Sequence, residues 1–292
     1  MPGQTIGDIG EFGLIARISG GAGNATGAVV LGIGDDTAAL RITPGRLLLA
    51  TCDVQVESLH FLRNAASSRQ IGHKSLAVNI SDIASMGGIP RFALISLGLP
   101  KDTPVAFVDG LYEGVYALAR EHAVDVVGGN MSGSPTAIFI DITVLGEIEP
   151  ERVMRRSGAR PGERIVVTGH PGDSSGGLAL LLNPELRCPS DVADRLLTAH
   201  RTPSPRVAAG RAIGGTGGAT AMIDISDGLA ADLGHIAEAS GVGVQLWADA
   251  LPVSEDLRAL AAVSGRDPLE YTLFGGEDYE LIATVRPDAE AR

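Results

Sequence analysis

The sequence predicts an α/β protein, α+β in its layering, built as two domains over residues 1–150 and 151–292. Three observations carry that expectation. Short apolar runs of strand length alternate with longer stretches of helical spacing along the whole chain. Gly and Pro stand at most of the joins between them. Near the midpoint a basic, Gly/Pro-containing stretch, residues 152–162, interrupts the alternation and reads as a crossover between domains. With 45% apolar residues in 292 there is ample material for a core, and the 4% aromatic content leaves packing to Ala, Val, Leu and Ile.

In chain order, residues 12–18 read as a short amphipathic helix, followed by a turn at Gly20, Gly21 and Gly23. Residues 29–33 form a strand running into Gly34-Asp35-Asp36, and 38–42 and 47–51 two more, turned at Pro44-Gly45. Ile71, Leu76, Val78, Ile80, Ile83 and Met86 space a buried helix over 70–87, stopped by Gly87-Gly88 with Pro90 beyond. A strand at 91–99, a helix at 104–122, a strand at 124–127 entering Gly128-Gly129 and a strand at 137–146 complete a mixed sheet with helices on one face. The second half repeats the alternation. Strands are expected at 164–168, 222–225, 244–247 and 281–285, and helices at 176–182, 189–201, 226–240 and near 254–263.

Formal charge is 23 − 35 = −12, and no Lys/Arg cluster is present, which argues against nucleic acid as a partner. Cys52 and Cys188 make no metal-ligand pair and no C-x-x-C motif, so a reduced setting is expected. The first residues lack a basic segment followed by an apolar one, and no apolar run approaches the ~18 residues that span a bilayer. A cytoplasmic protein with no membrane partner is the expectation.

Several carboxylates stand at strand ends or beside glycines: Asp35 and Asp36 in GIGDD, Asp53 in LLLATCD, Asp82 in NISDIASMGG, Asp224 and Asp227 in MIDISDG, Glu277 and Asp278 in FGGEDYE. Each alone reads equally as a turn residue or helix cap. Together they read as cation holders, because a carboxylate closing an apolar strand is poorly solvated unless something cationic meets it. Magnesium takes such oxygen ligands along with substrate phosphates. Gly128-Gly129-Asn130 and residues 169–177 (GHPGDSSGG) offer backbone N–H groups to an anion, although the second is as readily a tight turn. Neither is a Walker A or a dinucleotide fingerprint, no zinc spacing occurs, and there is no G-x-S-x-G elbow.

The segments EFGLIARI, GIGDDTAAL, TCDVQVESLHF, residues 71–100, residues 155–182, MIDISDGLAADLGHI and FGGEDYEL, in that order, resemble the thiamine-monophosphate kinase family. That family belongs to the superfamily of aminoimidazole ribonucleotide synthetase. The resemblance implies a homodimer pairing the sheets of its N-terminal halves, with an α/β C-terminal half closing a cleft over ATP. It implies several Mg2+ ions held by Asp36, Asp53, Asp82, Asp224 and Asp227, with Thr51 and Cys52 at backbone positions beside Asp53, and Asp53 and Asp227 at the centre of catalysis. Gly129, Asn130, Arg156 and Ser226 fall at nucleotide-contact positions, and His60 and Glu277 at positions contacting thiamine monophosphate. The implied activity is direct in-line phosphorylation of thiamine monophosphate to the diphosphate by ATP.

Two departures stand out. The family has an aspartate where this chain has Asn130, which keeps an oxygen ligand for metal but removes a charge, and threonine where it has Met131. The chain also stops at Arg292, short of a family segment carrying an aromatic residue for the thiamine ring. They favour the competing expectation: a divergent ATP-binding paralogue acting on another phosphorylated small molecule, or a non-catalytic regulator.

Overall fold

A computed structural model describes residues 4–23, 26–34 and 36–289; Asp35 lies outside the described residues. The chain divides into two compact units, Met1–Ile83 with Ile89–Pro150, and Ala84–Gly88 with Glu151–Arg292.

The first unit contains α1 (Ile6–Ser19), β1 (Val29–Leu31), β2 (Ala39–Leu40), β3 (Leu47–Val56), α2 (Ser68–Ser85), β4 (Ile89–Leu99), α3 (Val105–Glu121), β5 (Asp125–Gly133) and β6 (Phe139–Ile148). Four strands make a mixed sheet in the order β3-β6-β4-β5, antiparallel except for the β4–β5 pair. Alternation along β6 explains its layering. Ile140, Ile142 and Val144 are fully buried, and a Cβ on neighbouring Gly146 would strike Ile83 of α2, so α2 packs on that face. On the opposite face the β1–β2 ribbon covers Phe92, Leu94 and Leu145 with Ala28, Val29, Ala38 and Leu40. Toward β3 the same face is open, with Leu48 and Val54 about half exposed.

The second unit contains β7 (Arg164–Val167), α4 (Asp173–Leu182), α5 (Ser190–Arg201), α6 (Val207–Gly215), β8 (Ala219–Asp224), α7 (Leu229–Ser240), α8 (Glu255–Ser264), α9 (Pro268–Phe274) and β9 (Leu281–Val285). Its antiparallel sheet runs β7-β9-β8 and is buried on both faces. Ala221, Ile223 and Ile282 face α7 residues Leu229, Leu233 and Ile236. Met222, Leu281 and Ala283 face Met154 and α6. A third cluster joins α4, α5, α8 and α9 through Leu196, Leu257, Leu260 and Tyr271.

Several details differ from the sequence expectation: α1 starts at Ile6 rather than at residue 12, and β3 runs on to Val56 rather than ending at 51. Helices α6 and α9 were not expected, because VAAGRAIGG is too rich in small residues to show an apolar stripe and PLEYTLF is only 7 residues long. Residues 244–247 are not a strand: Val242 and Leu246 pack on the α7 cluster as irregular chain. β5 continues through Gly128-Gly129 instead of ending there. Helix α7 begins at Leu229 rather than at residue 226. No helix among the described residues is long and apolar enough to cross a membrane.

Candidate metal and substrate residues

In the first unit, the strand alternation sends Thr51 and Asp53 of β3 to the α2 side of the sheet, where they meet Asp82 and Asn79. The Thr51 hydroxyl donates to the Asp82 carboxylate, and the Asp53 N–H donates to Asn79 Oδ1 at 3.1 Å. Burial, the Asp82 charge and a hydrogen bond with it, and the Asp141 charge together push the Asp53 carboxyl up to about 6. Asp141, in the middle of the apolar run IFIDITV, escaped the sequence reading; an acid interrupting a strand of that kind was the available signal. It also accepts from the Cys52 thiol at 2.9 Å, and this hydrogen bond pushes the thiol pKa up. Cys52 therefore resists becoming a thiolate, and both it and Cys188 are free cysteines.

Other predicted residues of this unit lie apart from that cluster. Asp36 is exposed between β1 and β2. Asn130 is exposed on β5 beside Ser96 of β4. Two strands separate β5 from β3, about 14 Å at ordinary strand spacing. Gly129 takes φ 153 with its α-carbon against the Ile95 backbone, where any Cβ would collide. That is why only glycine lets β5 pass this point and carry Asn130 onward. His60 follows β3 in a tight turn, and its Nδ1 accepts from the Val56 N–H at 3.0 Å. The neutral ring then carries its proton on Nε2.

In the second unit, β8 ends at buried Asp224, and the next residues form a loop whose groups are almost all engaged. Asp232 of α7, 2% exposed, accepts at 3.0 Å from each of three successive N–H groups, those of Ser226, Asp227 and Gly228. Ile225 donates to the Glu280 carbonyl at 2.8 Å, while Tyr279 and Glu277 donate to the Ile225 and Ser226 carbonyls at 2.9 and 2.8 Å. Gly228 adopts φ 121 with the Gly275 carbonyl pressed against it, a conformation and a space that suit glycine. The side chains of Ser226 and Asp227 are left pointing outward, exposed between buried neighbours. Asp227, Asp232 and His235 each offer a ligand atom within 4.8 Å of the others.

Glu277 lies beside this loop at φ 63, a left-handed conformation uncommon for a side-chain-bearing residue, and Tyr279 repeats it at φ 54. The Glu277 carboxylate stands 3.8 Å from His200 Nδ1, which also meets the Ser174 hydroxyl at 3.1 Å. It borders a cavity of about 660 Å³ with Ser175, Arg266, Tyr271 and Phe274. Arg156 is exposed. The turn that follows it is pinned by the Ser240 hydroxyl, which accepts from Gly158 and Ala159 at 3.2 and 3.1 Å.

The GHPGDSSGG segment does aim N–H groups at an acceptor, but the acceptor is one of the protein's own carboxyl groups. Asp278 accepts from Gly172 and Ser174 at 2.8 and 3.1 Å, filling the N-terminus of α4. Burial pushes the Asp278 carboxyl up to about 8 against those two hydrogen bonds. Its neighbour Glu280 makes a two-point ion pair with Arg206 at 2.5 and 2.7 Å.

Asp53, Asp82 and Asp227 offer oxygen, as a hard divalent cation requires, with the His235 ring a nitrogen beside Asp227, and the like charge at Asp53 is what such an ion would relieve. Residues 34–148 match the family model of the AIR synthase related protein N-terminal domain, and residues 160–292 that of its C-terminal domain. The chain is 41% identical to the thiamine-monophosphate kinase of Aquifex aeolicus over 278 residues, 95% of this chain and 86% of that one. It is 40% identical to that of Bacillus subtilis, over 88% and 78% of the two chains. Among solved structures, thiamine-monophosphate kinase from Stenotrophomonas maltophilia superposes with a TM-score of 0.86 at 34% identity, covering 97% of this chain and 88% of that one. AaThiL complexed with AMPPCP and TMP superposes with a TM-score of 0.79 at 39% identity, covering 97% and 87%.

Proposed function

The chain belongs to the thiamine-monophosphate kinase family, and from that membership we propose how its own residues carry the reaction. It is a phosphotransferase that moves the γ-phosphoryl group of ATP onto the phosphate of thiamine monophosphate, releasing ADP and thiamine diphosphate. One relative holds AMPPCP, an analogue of ATP, together with TMP.

An oxygen of the acceptor phosphate attacks the γ-phosphorus, and the bond to the β-phosphate oxygen breaks. The acceptor is a phosphate monoester whose second pKa is about 6, so it arrives largely ionised and needs no strong base. The difficulty is bringing two polyanions together. The observation that carries the proposal is the juxtaposition of Asp53 and Asp82 on the α2 face of the sheet, with Asp53 held up at about 6 by burial and its neighbours. Bound magnesium would supply charge neutralisation and in-line alignment of the two phosphates. We assign Asp53, Asp82 and Asp36, with Thr51 and Cys52 through their backbone, and Asp224 and Asp227 to holding several such ions, with the Asn130 amide oxygen a further ligand. Gly129, Asn130, Ser226 and Arg156 meet the nucleotide, Arg156 offering its guanidinium to phosphate. His60 offers Nε2–H to the acceptor, and the Glu277 carboxylate suits the positive thiazolium ring.

Incubation with ATP, Mg2+ and thiamine monophosphate should yield thiamine diphosphate and ADP in equal amounts by mass detection. Asp53→Ala or Asp227→Ala should abolish it while leaving the circular dichroism spectrum unchanged; near-normal turnover in either variant refutes the ligand assignment. Asn130 favours one rival, a paralogue that binds ATP without turnover, and absence of product despite Mg2+-dependent ATP binding would select it.

We further propose a homodimer formed through the first unit. β3 is an edge strand of its sheet, and its open face carries Leu48, Ala50, Cys52 and Val54, all exposed and none charged. Light scattering should report twice the 30.0 kDa chain mass; a monomer at micromolar concentration would rule the dimer out.

A further inference from the structure

The loop carrying Asp227 has an unusual environment for the start of a helix. A helix N-terminus normally presents unpaired N–H groups and a positive field, and so collects anions such as phosphate. Here a buried aspartate in the first turn of the helix, Asp232, reaches back to take the N–H groups of the three residues that precede the helix, Ser226, Asp227 and Gly228, at 3.0 Å each. On the other side of the loop, Tyr279 and Glu277 donate to its carbonyls. The loop is tied from both sides, and a carboxylate stands in the first turn of the helix beside it.

We infer that Asp232 is the positioning residue of this site: it fixes the loop that presents the Asp227 carboxylate outward and sets a negative charge beside it, against the positive field of the helix start, that favours a cation there. The inference rests on the reading of Asp227 as a metal ligand. Without the Asp232 carboxylate the three N–H groups would turn to solvent or to phosphate. The loop would lose its single conformation, and a positive field would then oppose a cation at Asp227. Groups that orient a metal ligand in this way are typically worth ~10–100-fold in metal affinity when replaced.

The test is binding of Mn2+ alone, followed by the electron paramagnetic resonance signal of the free ion, with thermal unfolding in chelator as a control. Asp232→Ala should weaken the affected Mn2+ site at least tenfold. Asp232→Asn, which keeps an acceptor oxygen of the same shape, should fall between it and the unaltered protein. Asp227→Asn should remove the site. Should Asp232→Ala fail to fold, the comparison of Asp232→Asn with Asp227→Asn still decides. Unchanged Mn2+ binding in both Asp232 variants overturns the inference. So does an Asp232→Asn loss equal to that of Asp227→Asn, which would make Asp232 a ligand. Unchanged binding in Asp227→Asn would instead sink the underlying assignment and leave the role of Asp232 in the loop untouched.

Discussion

The two units treat buried carboxylates in opposite ways. In the first, Asp53 faces Asp82 on the α2 side of the sheet, and burial and like charge push the Asp53 carboxyl up to about 6. In the second, Asp232 and Asp278 each face backbone N–H groups at a helix start, and Glu280 faces Arg206. Equal residue types therefore keep different company. Asp278 and Asp232 cap backbone N–H groups and Glu280 meets an arginine, whereas Asp53 is set against a second carboxylate, the arrangement that the proposed metal ion would relieve.

The sharpest way to break that comparison is to remove one carboxylate from each class and measure unfolding in chelator. Asp278→Ala would leave the Gly172 and Ser174 N–H groups buried without an acceptor, and should cost roughly 1–3 kcal/mol. Asp53→Ala should cost little or raise the melting temperature, since it relieves repulsion. Equal losses in both variants would show that Asp53 is as much a structural group as Asp278. A gain for Asp53→Ala together with lost turnover would sharpen the division into one between stability and function.

Much of the fold was legible because apolar spacing is a direct record of burial. β4 and α3 lie within a residue or two of the expected bounds, since their apolar positions all point into one core. What failed depends on tertiary neighbours. The glycines at 128–129 suggested a strand end, yet the strand goes on because Gly129 packs on the Ile95 carbonyl. Ser226 looked like the first residue of a helix, yet Asp232 holds residues 226–228 out of it. Of the site, the single acids at strand ends could be seen in sequence. Asp141 across the sheet and the plugging of α4 by Asp278 could not, because they depend on pairing register and on contacts more than 80 residues apart in the chain.

Glu277 shows how the site is priced into the fold. A left-handed conformation costs a residue with a Cβ about 1–2 kcal/mol, and glycine almost nothing. The chain already has glycine at the two preceding positions, yet holds glutamate at φ 63. Glu277→Gly should therefore melt higher, by roughly 0.5–1 kcal/mol once the greater freedom of glycine in the unfolded chain is subtracted, while binding thiamine monophosphate less well. A lower melting temperature would mean that the contact with His200 outweighs the strain. If the gain is found, the molecule gives up durability here to hold the carboxylate that we assign to the acceptor.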